Sequence, residues 1–196
     1  MIDNRYLPLV PGTRWVYEDI SSDGREKIVV TVTHETKDIQ GVTATVVRDT
    51  VTAEDGTLVE DTHDWYAQDT SGNVWYLGEY TEAYENGKTS TAGSWQVGKD
   101  GATAGIAMLR DPDVGDAYAQ EHYAGEAEDR GEVLALDASA EVPFGSYDTL
   151  VKTEDTTPLQ PEVVEHKYYA KGIGFVYEEK LSGGDDRVRL VEMTRP

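Results

Sequence analysis

Four histidines are the residues of this chain best suited to chemistry: His34, His63, His122 and His166. Neutral imidazole is the commonest side-chain ligand for transition metals, and it titrates near neutral pH. Two of the four stand in matched surroundings. His63 is followed by Asp64-Trp65-Tyr66-Ala67-Gln68, and His166 by Lys167-Tyr168-Tyr169-Ala170-Lys171. On an extended strand His63 and Trp65 share one face while Tyr66 takes the other. His166 and Tyr168 likewise oppose Tyr169. If the histidine face lines an interior, two imidazoles and two large rings meet a ligand together. The alternative is structural, with each imidazole bonding a neighbouring strand or facing solvent.

His122 precedes the acidic run Gly125-Glu126-Ala127-Glu128-Asp129. His63, His166, His122, Glu126 and Asp129 are therefore the candidate metal ligands, for a transition metal or for Ca2+. The run lacks the EF-hand spacing of acids and glycine. Acids in short loops, such as Glu54-Asp55-Gly56 or Asp111-Pro112-Asp113, commonly serve turn geometry and solvation. Catalytic motifs are missing: no Gly-x-Ser-x-Gly elbow, no His-Glu-x-x-His, no phosphate-binding glycine loop. Among so many acids a carboxylate pair at glycosidase spacing is expected by chance.

Aromatic residues point to binding. Twelve tyrosines and four tryptophans stand against two phenylalanines, and Tyr and Trp offer an apolar body with a polar tip. Most fit cross-strand pairs on a sheet. Trp95 does not, because it sits where no strand pattern demands it. Trp95, Met108, Trp65, Tyr168, His63 and His166 form the expected ligand-binding wall, with rings stacking on an amphipathic or aromatic small molecule.

Charge narrows the partners. The 38 acids against 17 bases give a net charge of −21. Such a surface repels nucleic-acid phosphates and anionic lipid heads, whereas a small-molecule ligand or a cation remains compatible. The absence of cysteine excludes disulfides and thiolate metal sites. No apolar run is long enough for a transmembrane segment. Met1-Ile2-Asp3-Asn4-Arg5 is not a signal peptide.

The elements that must position these residues are strands. Period-two alternation dominates, as in Val42-Thr43-Ala44-Thr45-Val46-Val47, and Asn86-Gly87 and Asp55-Gly56 read as hairpin turns. Ser22-Asp23-Gly24 is read as another turn. The pattern predicts about eleven strands: 13–20, 26–36, 41–53, 58–67, 73–80, 115–123, 130–138, 147–155, 163–171, 174–180 and 186–193. The chain also repeats itself: the offset between the matched histidines is 166 − 63 = 103, and Pro11-Gly12-Thr13-Arg14-Trp15 is echoed by Val114-Gly115-Asp116-Ala117-Tyr118. This predicts one domain, 1–196, made of two repeats over about 11–80 and 114–180. A non-repeated insertion, 81–112, joins them as a lid or a plain linker, with a short helix near Gly101–Leu109. The fold class expected is all-β, an antiparallel meander with a pseudo-two-fold repeat. It either closes into a barrel, wholly or in part, or packs as a two-sheet sandwich.

The opening Asp3-Asn4-Arg5-Tyr6-Leu7-Pro8-Leu9-Val10-Pro11-Gly12-Thr13-Arg14-Trp15-Val16-Tyr17-Glu18 resembles the YxPLxPGTxWxY start of a group of uncharacterised bacterial exported proteins and lipoproteins. Gly125 to Asp129 and Glu165-His166-Lys167-Tyr168-Tyr169-Ala170-Lys171-Gly172-Ile173-Gly174 resemble its later signatures. The resemblance implies a β-rich fold and an extracytoplasmic home, secreted or in the cell envelope. It also implies an export signal, often with a lipobox, upstream of residue 1. It implies no activity. Together these features predict an extracytoplasmic module that binds a small amphipathic or aromatic ligand in a β-cavity. The alternatives are a divalent-metal protein using His63, His166 and nearby carboxylates, or a calcium-stabilised scaffold.

Overall fold

Alternating β-branched and polar residues are suited to half-buried strands. In the computed structural model, which describes residues 1–22 and 24–196, they form strands and turns with no helix among the described residues. Asp23, within the expected Ser22-Asp23-Gly24 turn, lies outside those residues. The first five strands are β1 (Arg14–Ser21), β2 (Gly24–Ile39), β3 (Val42–Ala53), β4 (Leu58–Gln68) and β5 (Val74–Glu85). Short pieces follow: β6 (Lys88–Ser90), β7 (Trp95–Gln96), β8 (Gly105–Met108) and β9 (Ala117–Ala119). The remainder are β10 (Arg130–Val142), β11 (Gly145–Thr156), β12 (Val164–Ala170), β13 (Gly174–Ser182) and β14 (Arg187–Thr194).

The eleven expected strands correspond in order to β1–β5 and β9–β14. The fourteen observed include three more, β6 to β8, all within 81–112. The expected helix near Gly101–Leu109 is replaced by β8, which pairs with β5. That stretch has little apolar periodicity, so pairing to an available strand edge decides its conformation. Gly105 also fixes the geometry, because a Cβ there would lie 2.1 Å from the carbonyl oxygen of Gln120.

All pairings are antiparallel, and the strands form one sheet rather than two: β6-β5-β4-β3-β2-β1-β14-β13-β12-β11-β10-β9, with β7 and β8 also on β5. The sandwich is thereby replaced, and so is the closed barrel. β7 and β8 occupy the edge of β5 that would otherwise meet β9, and among the described residues no ladder joins the two ends. One bridge touches across the gap, where the Thr103 amide donates to the His122 carbonyl at 3.0 Å. The sheet curls nonetheless. Val32 and Val47 from one end share a single apolar cluster with Val133, Leu150 and Val151 from the other.

Tight hairpins set the register. Gln40 and Gly41 have φ of 53° and 82°, and Asn86 and Gly87 have 51° and 73°. Positive φ at both central residues is the type I′ requirement that makes Asn-Gly so legible.

The segment before β1 caps one end of the curled sheet. Asn4 is fully buried. Its Nδ2 donates to the carbonyls of Gly72 and Leu109 at 3.0 and 3.1 Å, and its Oδ1 accepts from the amides of Tyr6 and Leu7. Leu7 and Leu9 pack into the apolar cluster. Trp15 Nε1 then donates to the Ile173 carbonyl at 2.9 Å, tying β1 to the β12–β13 turn.

Candidate binding cavity

Inward-facing residues change character along each strand. On β2 the inward set runs from Val32 through Val30 and Ile28 to Glu26; on β1 it runs from Trp15 through Tyr17 to Asp19. β3 passes from Val47 to Asp49, β4 from Tyr66 through Asp64 to Glu60, and β12 from Tyr169 through Lys167 to Glu165. Antiparallel pairing keeps residues opposite one another on one face. Val47 therefore lies beside Asp64, Asp49 beside Thr62, and Lys167 beside Glu178. The result is a cup with an apolar floor and a carboxylate wall.

A cavity of about 820 Å³ occupies this cup. Leu9, Trp15, Tyr17, Ile28, Val30 and Phe175 give it an apolar and aromatic side. Asp19, Asp49, Glu60, Asp64, Asp129, Glu165 and Glu178 give it seven carboxyl groups. A smaller cavity of about 350 Å³ adjoins it through shared Leu7, Asp49, Tyr66, Asp129, Phe175 and Glu178, and adds Tyr76, Gln120, Glu121, Lys167 and Tyr169. Tyr66 and Tyr76 stack there, with ring centroids 4.8 Å apart. Trp95 meets the edge of Tyr76 at 5.4 Å.

Taking carboxylates out of water disfavours their charged form. Burial, aided by Glu60 and Glu79, pushes Asp49 up to about 7. Burial and the neighbouring Asp129 and Glu79 carry Glu121 to about 8. Burial brings Glu178 to about 7, although Lys167 acts in the opposite direction. Asp64 lies well above the carboxylate range, through burial first and Glu79 second. Lys180 Nζ lies 3.6 Å from Glu165, and Lys167 is an ammonium within the cup itself. Burial works against its charge, but Asp155, Glu178, Tyr169 and Glu165 outweigh it and hold its pKa well above normal. Its Nζ lies 3.2 Å from Asp155, 3.7 Å from Glu178 and 3.8 Å from Glu165.

The expected site residues fall in several places. His63 and Trp65, and likewise His166 and Tyr168, lie on the face turned away from the cup; Asp64, Tyr66, Lys167 and Tyr169 take the inward face. The His63 side chain is 39% exposed and 4.0 Å from Asp61. His166 sits between Glu154 at 3.5 Å and Glu179 at 3.8 Å. Tyr168 donates to Glu179 at 2.9 Å. Trp65 is buried among Ile39, Ala44, Val46 and Leu77, with the Lys37 ammonium 3.0 Å above its ring. Met108 is buried in the apolar floor. Trp95 and Trp65 do come together at a third pocket of about 260 Å³, with Lys37, Lys99 and Tyr123. His122 bonds Thr103 Oγ1 at the seam, Glu126 is exposed, and Asp129 lines the cup. Among the described residues, no three His, Asp or Glu side chains converge as a metal site. The metal reading of His63, His166, His122, Glu126 and Asp129 thus has no coordination geometry behind it.

Asp49, Glu60, Asp64, Glu165, Lys167 and Glu178 are the cup residues that sequence reasoning passed over. One signal was available: Asp64 and Lys167 stand at the same 103-residue offset as the histidines, 167 − 64 = 103, and replace one charge by its opposite.

No family model matches the chain, and no curated protein does. Two solved structures do. One is a candidate lipoprotein from Parabacteroides distasonis ATCC 8503, 14% identical, covering 97% of this chain and 99% of that one with a TM-score of 0.54. Another is a candidate exported protein with a YmcC-like fold from Bacteroides fragilis NCTC 9343, 13% identical, covering 98% and 100% with a TM-score of 0.57. At these identities the likeness is one of fold over nearly the whole length: this chain is similar in architecture to exported and lipoprotein-type β-proteins of these bacteria.

Proposed function

We propose that this chain is an extracytoplasmic binding module whose site is the interior cup. The observation that carries this reading is the 820 Å³ cavity with an aromatic, apolar side facing a wall of seven carboxyls. An amphipathic molecule fits such a division, with its apolar body against Trp15, Tyr17 and Phe175 and its polar end among the acids. The location outside the cytoplasm is supported by the opening motif and by the exported and lipoprotein neighbours.

Tandem duplication is part of the same proposal, within a single domain 1–196. The sheet runs β5-β4-β3-β2-β1, then β14, then β13-β12-β11-β10-β9. His63 on β4 and His166 on β12 each sit on the fourth strand of their run. This order supports reading 11–80 and 114–180 as copies joined by 81–112. The cup is then the space that two half-sheets enclose together.

Fluorescence titration with dansyl probes carrying ammonium, neutral or carboxylate tails tests the site. The cup predicts enhanced emission with an ammonium or neutral tail. Val30→Trp, which fills the cavity, should abolish it, and Trp65→Ala on the outer face should leave it unchanged. Emission that ignores Val30→Trp would place the ligand elsewhere.

A further inference from the structure

The side chains lining the larger cavity are lopsided in hydrogen-bonding capacity. Seven carboxyls line it and no Lys, Arg or His does. Apart from carboxyl protons, the donors among the lining side chains are Trp15, Tyr17 and Tyr66. Trp15 Nε1 is committed to the Ile173 carbonyl and Tyr17 to that of Phe175. Lys167, in the adjoining cavity, is already shared by three carboxylates. A second observation concerns Asp49, which lines the cavity: its Oδ1 is buried without a hydrogen-bond partner. A buried acceptor without a donor costs free energy until something supplies one. A ligand that brings several donors and positive charge therefore matches this lining.

The carboxyls also sit apart, on β1, β3, β4, β12, β13 and the loop before β10, and among the described residues no three converge as a metal site. A single metal ion needs convergence. Ammonium groups spaced along an apolar chain need the opposite. Resting on the cup as the binding site, we propose that its ligand class is the linear aliphatic polyamine, with Asp49 as the buried anchor, Asp19 and Glu178 receiving further ammonium groups, and the methylenes lying on Ile28, Val30 and Phe175.

Calorimetric titration of the whole chain with spermidine, near neutral pH and at low salt, tests this. Saturable binding is expected. Asp49→Asn, which removes the charge while keeping the shape, should weaken it by about tenfold or more. Asp148→Asn, an exposed control, should not. Equal losses in both variants would mean attraction to the acidic surface alone and would overturn the proposal. So would calcium chloride displacing spermidine at similar concentration. Absence of spermidine binding, with the ammonium-tailed dansyl probe still held, would overturn the polyamine assignment and leave the cup reading standing. Loss of both would end the cup reading. Thermal melts of each variant confirm that it is folded.

Discussion

Asp64 and Glu79 face each other across β4 and β5 with one hydroxyl between them. The Tyr76 oxygen lies 2.6 Å from Asp64 Oδ1 and 2.8 Å from Glu79 Oε2. A phenol has one proton, so it can donate to only one of them. The other short contact requires a carboxyl that donates. Burial raises both acids, and their mutual repulsion adds to the rise of Asp64. The geometry thus calls for a proton shared by the pair, with Asp64 lining the cup and Glu79 behind it at the smaller pocket beside Trp95.

Glu79→Gln should therefore be tolerated. The amide preserves a donor and an acceptor near Tyr76 and Asp64 without a titrating charge. We expect stability within about 1 kcal/mol of the parent near neutrality, and higher than the parent in alkali. Glu79→Ala should cost about 1–3 kcal/mol, because it leaves buried partners unmatched. Urea unfolding of both variants checks the difference; equal losses would contradict the shared proton.

Stability of the ligand-free protein should fall as pH rises through neutrality. Asp49 and Glu178 titrate at about 7 and Glu121 at about 8 when folded, against about 4 for unfolded carboxyls. Above that unfolded value the native state binds more protons than the unfolded one, so stability declines with pH. The contribution of these groups is complete below about pH 4 and is lost as pH passes through about 7 to 8. Melting between about pH 5.5 and 9 should show a Tm falling by several degrees, at about 2–4 °C per kcal/mol for a chain of this length. A Tm that rises across the same window would contradict the buried-acid account.

The opening segment should be worth more than its position suggests. Asn4→Ala removes the partner of two amides and two carbonyls in a fully buried place. A loss of about 2–4 kcal/mol is expected, measurable by urea unfolding. A loss below about 0.5 kcal/mol would mean that the cap is not integral to the sheet.

The two faces of β4 should respond differently. His63→Ala touches a partly exposed side chain and should change stability by less than about 0.5 kcal/mol. Tyr66→Ala removes a ring stacked on Tyr76 in the cup and should cost about 3–5 kcal/mol. The same urea measurements settle the contrast.

Much of the fold was legible because local rules agreed. Alternation located eleven strands, and Asn86-Gly87 formed the two-residue turn its chemistry demands. The strands β6 to β8 were not legible, since Gly105 to Met108 owe their conformation to the edge of β5 and to close approach against Gln120. The inward face was harder still. Trp65 and Tyr66 are both large rings on adjacent positions, and either could have pointed in. Charged residues on a strand ordinarily mark the solvent side. Here Asp64 and Lys167 mark the interior, while Trp65 is buried on the outer face in a cluster against which Val97 and Ala104 of the insertion pack. Pattern reading fails where a protein puts ionisable groups inside, which is where binding sites tend to lie.

The most direct measurement of the central claim is amide chemical-shift mapping with the ammonium-tailed dansyl probe. Perturbations should concentrate at inward positions around Asp49, Tyr66, Phe175 and Glu178, with His63, Trp65, His166 and Tyr168 comparatively quiet. Perturbations centred on that second set would contradict that claim.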